Sequence, residues 1–286
     1  MLNSNPMLAA KVTNLLKLRF PVGATPKIDG IRCLITPDGP RTRSLKPIPN
    51  HYISRVIALL PLGCDGELTV GSTFQETTSA VMSQDGTPDF TYWLFDNYLA
   101  PGGYSERVGY LLTSTYPRYV KLLTPAICFS LDELSAYYSR ALADGHEGVC
   151  FRLLDSPYKH GRSTLNEQYL CKWKQRQDAE ATVLDFVPLF RNHNHGFINE
   201  LGRLDRSSSQ VGLVADNALG ALVVSSSEWP STFELGTGFS TAQRIDIWNN
   251  RELIRGQIAR FSYHNYNLKD RPREPVFIGF RHQYDV

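Results

Sequence analysis

Lys27-Ile28-Asp29-Gly30-Ile31-Arg32 is the stretch from which the rest of the chain can be read. It sets an amine, a carboxylate and a guanidinium within six residues, with a glycine between the last two. In an extended segment successive side chains alternate faces, so Lys27 and Asp29 are expected to look into the same space. Gly30 lets the backbone bend or come close to a ligand. Arg32 offers a planar fork suited to phosphate or ribose oxygens. A lysine presented this way is a nucleophile if its amine is kept neutral. A surface strand with an incidental ion pair explains the same residues, so the choice rests on the partners supplied by the rest of the chain.

With 286 residues there is room for one large domain or two. Hydrophobic residues at 42% and charged residues at 20% describe a soluble globular chain. No apolar run reaches the roughly eighteen residues of a membrane span. Residues 1–8 lack the basic-then-apolar pattern of a secretion signal, so an intracellular protein is expected. Five scattered cysteines form no Cys-x-x-Cys, which fits a reducing compartment without disulfides or a zinc cluster. His193 and His195 read as a loop pair rather than a metal site. A net charge of +2 names no partner, so any nucleic-acid surface must be local. After Lys174 the only lysine is Lys269, while arginines are many. Arginine suits bidentate phosphate contacts, and genomic base composition would give the same bias.

Residues 9–18 have helical spacing, and a strand follows the opening motif at residues 31–35. Arg41-Thr42-Arg43-Ser44-Leu45-Lys46-Pro47 is basic, bounded by proline and unsuited to a helix. Residues 51–60 read as an amphipathic helix. Cys64-Asp65-Gly66-Glu67-Leu68 places two carboxylates at i and i+2, a spacing that suits a metal or ribose hydroxyls and also suits a plain Asp-Gly turn. Residues 90–99 form an aromatic strand, mostly core, with one ring able to stack on a base. Helices are expected at 104–120 and 131–143, the second opened by a Ser130/Glu133 capping box. Glu147 enters a buried strand. Lys172 and Lys174 alternate with Cys171 and Trp173, so two like charges share a face, as a phosphate site requires or a solvated edge allows. Residues 181–187 form a strand, and Pro188-Leu189 marks a domain boundary. Residues 193–217 are a long polar loop, and such loops are usually functional or disordered. About five short strands then suit a small barrel, with a helix near residues 241–251.

Taken in this order, the clusters resemble the motif series of the covalent nucleotidyltransferases, which include ATP-dependent DNA ligases, RNA ligases and mRNA capping enzymes. The resemblance is specific to the minimal, Chlorella-virus-type DNA ligases. It is carried by Thr-Pro-Lys-Ile-Asp-Gly-Ile-Arg (25–32), Phe-Gln-Glu-Thr-Thr-Ser-Ala-Val-Met (74–82), His-Gly-Arg-Ser-Thr-Leu (160–165), Asp-Ala-Glu-Ala-Thr (178–182) and Pro-Val-Phe-Ile-Gly-Phe-Arg-His (275–282). It runs nearly end to end. It implies an α+β protein, with a nucleotidyltransferase (ATP-grasp-like adenylation) domain over residues 1–189. A C-terminal OB-fold β-barrel domain would follow over 190–286, with a candidate DNA-clasping loop at 193–217.

The resemblance also implies roles. Lys27 would take AMP from ATP and Arg32 and Glu67 would hold the ribose. Phe95 would stack on adenine, with Thr25 beside it. Glu147 would bind Mg²⁺ or Mn²⁺, assisted by Asp65 and Glu67. Lys172 and Lys174 would grip the AMP phosphate. Asp29 would act near the 3′-hydroxyl of the nick, and Arg43 and Arg162 on its 5′-phosphate. Arg203 and Arg206 would contact DNA. The tail arginines Arg271, Arg273 and Arg281 would orient pyrophosphate. Larger ligases carry a lysine near the end of the last motif, where Asp270-Arg271-Pro272-Arg273 stands here. The implied partners are ATP and nicked duplex DNA, with no membrane, and the implied state is a monomer that closes around DNA. A virus- or phage-encoded enzyme working inside the host cell is expected. RNA ligase and capping guanylyltransferase share the Lys-x-Asp-Gly core, and a non-catalytic nucleic-acid clamp could keep the fold.

Overall fold

The computed structural model describes residues 5–12, 14–174, 176–264 and 270–281. Lys269 and His282, both noted above, lie outside the described residues. The chain divides into two units, Met1–Lys174 and Gln175–Val286.

In the first unit the chain runs through β1 (Ala10–Lys11), β2 (Val22–Pro26), β3 (Ile31–Thr36), β4 (Gly39–Thr42) and α1 (His51–Ile57). β5 (Cys64–Val70), α2 (Phe74–Met82), β6 (Phe90–Asn97) and α3 (Tyr104–Leu112) follow. β7 (Val120–Leu122), β8 (Ala126–Cys128), α4 (Leu131–Ala143), β9 (Gly148–Leu153) and β10 (Cys171–Lys174) complete it. Two sheets result, ordered β1-β10-β9-β2-β8 and β4-β3-β5-β6-β7. β2 belongs to one and β3 to the other, so residues 27–30 are the crossover between the sheets rather than a strand. Strand alternation therefore does not govern Lys27 and Asp29. Gly30 is required here by close approach: a Cβ on it would lie 2.2 Å from the Leu68 carbonyl oxygen.

Each sheet carries its own core. Ile53, Ile57 and Val81 pack with Leu68, Tyr92 and Leu94 on one, and Leu134 and Ala141 of α4 pack with Val22, Val149 and Phe151 on the other. Side-chain caps start the helices. The Asn50 side-chain Oδ1 accepts from Ile53 N at 2.9 Å, and Thr73 and Glu76 form a full capping box. At α4 the Ser130 hydroxyl accepts from Glu133 N as expected, but the Glu133 carboxylate reaches Phe129 N instead of closing the box.

Two helices differ from expectation. Residues 9–18 give β1 and a 3-10 turn at Leu15–Lys17. The Ala10 and Val12 amides donate to the Leu170 and Lys172 carbonyls at 2.9 and 3.1 Å, so edge pairing overrides the helical spacing. The helix expected over 104–120 stops at Leu112. Thr113-Ser114-Thr115 leads into Pro117, which disfavours a helix before it.

In the second unit the elements are β11 (Gln177–Asn192), β12 (Gly196–Ile198), β13 (Leu204–Arg206), β14 (Leu213–Ser225) and β15 (Phe233–Leu235). α5 (Thr241–Asn249), α6 (Arg251–Ile254), β16 (Ile258–His264) and β17 (Arg273–Phe280) follow, with Asn250 dividing the helix expected at 241–251. The sheet order is β15-β14-β11-β16-β17. Thr237 ties its two ends, its carbonyl accepting from Phe277 N and its hydroxyl donating to the Pro275 carbonyl, both at 2.9 Å. Val183, Leu222, Trp229, Phe233, Phe261 and Phe277 fill this five-stranded OB-fold.

The strand expected at 181–187 is the middle of β11, which among the described residues pairs with β14 and β16 of its own unit. The division accordingly falls at Lys174/Gln175, not after Leu189. Pro188 is accommodated by register shifts on both of its sides. The long loop at 193–217 contains an ordered β12–β13 hairpin at the end of the β11–β14 pair. The Asn192 and Asn194 amides lash its base to the Ser207 carbonyl at 2.8 and 3.0 Å. Among the described residues, no helix is long and apolar enough to cross a membrane.

Candidate active site

A cleft of about 190 Å³ lies between the two sheets of the first unit. Thr25, Cys150 and Lys172 sit side by side on one wall, since Thr25 is registered with Cys150 and Cys150 with Lys172. Arg32 and Glu67, also registered together, stand on the other wall with Phe95. Lys27 and Ile28 join the walls, and the exposed Arg43 and Arg162 complete the lining on the polar side.

Glu147 lies just outside the lining and is 3% exposed. Its two oxygens are shared out, Oε2 to Lys27 and Oε1 to Lys174. The Lys27 amide also donates to the Gly148 carbonyl at 2.8 Å. Gly148 has φ +147°, and a Cβ there would lie 2.2 Å from the Trp173 carbonyl oxygen, so only glycine lets these three segments meet. Between the two lysines, Trp173 turns to the opposite face and stacks on Tyr138 of α4, with centroids 4.1 Å apart and planes at 6°. That stack fixes which way Lys172 and Lys174 point.

Phe95 owes its position to an irregularity. Asp65 pairs with Asp96, but the next residue, Gly66, pairs with Leu94. Phe95 is therefore the extra residue of a β-bulge, a device that re-aims a side chain next to a site. The Arg32 guanidinium lies 5.1 Å from its ring centroid. Arg32 is itself gripped by Asp65 through Nε at 2.7 Å and Nη2 at 2.5 Å. The Tyr158 hydroxyl donates to the same carboxylate at 2.6 Å and accepts from Met7 N at 3.1 Å. Burial pushes the Glu67 carboxyl up to about 7, against the opposing pull of Lys27 and Arg32.

Of the residues expected from sequence, the cleft gathers Thr25, Lys27, Arg32, Arg43, Glu67, Phe95, Arg162 and Lys172. Lys174 and Glu147 adjoin it through Lys27. Asp29 lies on the crossover but does not line the cleft. Asp65 is fully buried behind Arg32, with its oxygens committed to Arg32 and Tyr158. Among the described residues no three His, Cys, Asp or Glu side chains gather as a metal cluster. Arg203 and Arg206 lie exposed on the hairpin of the second unit. There Arg271 is exposed just before β17, Arg273 opens that strand, and Arg281 pairs with Glu180 at 2.9 Å.

Sequence reasoning missed Leu8, Ala9, Arg152 and Tyr158. Leu8 and Ala9 line the cleft, and the Ala9 carbonyl accepts from Arg162 Nη1 at 3.1 Å. Their partners are more than a hundred residues away, so no local signal pointed to them. Arg152 was legible in principle, two positions beyond Cys150 on one strand face.

Residues 214–281 match the DNA ligase OB-like domain. The chain is 36% identical to a Chlorella virus DNA ligase-adenylate, covering 98% of this chain and 99% of that one with a TM-score of 0.57. The chain belongs to the ATP-dependent DNA ligase family. A Lig E DNA ligase shares the ligase fold at 22% identity and a TM-score of 0.72, covering 97% of this chain and 99% of that one. A probable DNA ligase of Kineococcus radiotolerans is 33% identical over 183 residues, which is 55% of this chain and 36% of that protein. These likenesses favour a DNA ligase over the RNA ligase, guanylyltransferase and clamp readings.

Proposed function

We propose that this ligase seals 3′-hydroxyl/5′-phosphate nicks in duplex DNA with ATP, through three nucleotidyl transfers centred on Lys27. The observation that supports this most is the convergence of Lys27, Arg32, Glu67, Phe95 and Lys172 on one cleft. In the first step the Lys27 amine leaves its ion pair with Glu147, sheds a proton and attacks the α-phosphorus of ATP. A P–N bond forms, a P–O bond breaks and pyrophosphate departs. The 5′-phosphate of the nick then takes AMP from Lys27, and the 3′-hydroxyl finally displaces AMP.

Such transfers ask little covalent work of a protein beyond positioning and charge neutralisation. Arg32 and Glu67 would hold the ribose, and Phe95 the base, with Thr25 at its edge. Lys172 and Lys174 would neutralise the AMP phosphate. Asp65 is assigned to orienting Arg32 instead of to a metal. Glu147 alone, a single carboxylate between two lysines, suits Mg²⁺ or Mn²⁺ that is also held by nucleotide phosphates; the cation would offset phosphate charge. Arg43, Arg162 and Asp29 would meet the nick, and Arg203 and Arg206 the duplex. Arg271, Arg273 and Arg281 would serve pyrophosphate orientation. The enzyme would act as a monomer that closes around DNA inside the cell.

Incubation with α-labelled ATP or GTP, followed by nick sealing with wild type and Lys27→Ala, tests the reading. Labelling by ATP and complete loss of both activities in the variant are expected. Labelling by GTP alone, or nick sealing by Lys27→Ala, would refute it.

A further inference from the structure

Arg152 lines the cleft from β9, on the same strand face as Cys150. It is 2% exposed. Opposite it on β2 stands Gly23, where a Cβ would lie 2.9 Å from Tyr104 Cε1. Tyr104 occupies that space, and the Arg152 guanidinium lies 4.6 Å from its ring centroid. The same guanidinium lies 5.6 Å from the Phe95 ring, so Phe95 has two arginines beside it, Arg32 and Arg152. The carboxylate facing Arg152 is Asp96, and its Oδ2 is 3.7 Å from Nε, beyond hydrogen-bond reach. Asp96 already accepts from Arg107 Nε and Nη2 at 2.8 and 3.2 Å. Among the described residues, Arg152 Nε has no hydrogen-bond partner.

A buried guanidinium nitrogen left without a hydrogen bond is costly and calls for an explanation. Packing alone does not supply one, because an apolar side chain of similar length would fill the space without that cost. Asp96 serves Arg107 whether or not Arg152 is present. The Tyr104 hydroxyl, buried beside the guanidinium, is likewise without a geometric partner and interacts with Arg152 electrostatically. The other feature of the site is the cleft, and a guanidinium carries only donors. What completes it must be an acceptor, and the ring nitrogens of a purine stacked on Phe95 are acceptors. We propose that Arg152 is a base-recognition residue, steadying Phe95 and donating to a ring nitrogen of the purine. This rests on the assignment of the cleft to ATP.

The test is lysine adenylylation by wild type, Arg152→Met and Arg152→Lys, using ATP and its 1-deaza, 3-deaza and 7-deaza analogues. Loss of one charged hydrogen bond predicts a KM for ATP raised about tenfold in Arg152→Met, with kcat less affected. One analogue should cost wild type that same factor and cost Arg152→Met little more. Arg152→Lys should recover part of the loss. Equal penalties from every analogue in wild type and Arg152→Met would overturn the proposal. So would a parallel fall in kcat and 1/KM for all nucleotides that tracks a lowered Tm, the mark of a purely structural role. If wild type takes no label from any of the four nucleotides, the ATP assignment falls and this inference with it. Labelling with additive penalties removes this inference alone.

Discussion

Glu67 is held where its ionised form is costly, and the sign of that cost can be measured. Its carboxyl sits at about 7, raised from the ordinary 4.5 chiefly by burial. A raised acid binds its proton more tightly in the folded state. It therefore withdraws stability as pH climbs from about 4.5 through 7. Glu67→Gln removes that penalty. Thermal melts should show the variant above wild type by a few degrees at pH 8, with the gap closing by pH 5. If Glu67 holds the ribose as proposed, the same variant should raise KM for ATP, since an amide is a poorer acceptor for hydroxyls. A gap that widens toward acid would contradict the assignment. At this scale the sequence was informative wherever chemistry is compressed into a motif. Lys27, Arg32 and Glu67 all belong to the short motifs singled out in sequence, and they share one cleft. Tyr158 did not stand out, because its place depends on bridging Asp65 to Met7 across the fold.

Among the elements, the β12–β13 hairpin has no core of its own and exposes Ile198 and Leu204 at 68% and 67%. If the hairpin meets the duplex as proposed, these exposed side chains are part of what it offers. Excising residues 196–206, with two glycines joining the ends, should weaken nick binding at least about tenfold in a gel-shift titration. Lysine adenylylation should stay within about twofold. Equal loss of both would show that the hairpin supports the fold instead. Legibility here was uneven for physical reasons. The Ser130 cap and the apolar face of α1 are local and were readable. β1 has helical spacing in sequence, but its fate depends on the edge of β10, more than a hundred and fifty residues along. The hairpin looks like a loop in sequence because its strands are three residues each, too short for alternation to register.

For the whole molecule, a net charge of +2 means that DNA affinity must come from a few placed arginines. If Arg43, Arg162, Arg203 and Arg206 each meet a phosphate, counterion release predicts a log–log salt slope of about −3.6. That is a loss of roughly 10²-fold in nick affinity between 50 and 200 mM salt. Fluorescence titration of a nicked duplex over that range checks it, and removing any one arginine should flatten the slope by about one. A slope near zero would mean that the basic residues do not carry binding. The two-unit plan was legible because the pattern changes from mixed elements to short strands. Its boundary was not, since Pro188 looks like a terminator in sequence but is absorbed by the bulges of β11.

The bulge at Phe95 bears on how this pocket could evolve. Every neighbour of Phe95 in β6 answers to a partner in β5, so changing one disturbs the ladder on both sides. Phe95 answers to none. A different ring, or an aliphatic side chain, can be tried at that position while the sheet keeps its register. If Phe95 holds the base as proposed, nucleotide preference can drift by single substitutions at low structural risk. The strand keeps one site open to selection, and it lines the cleft.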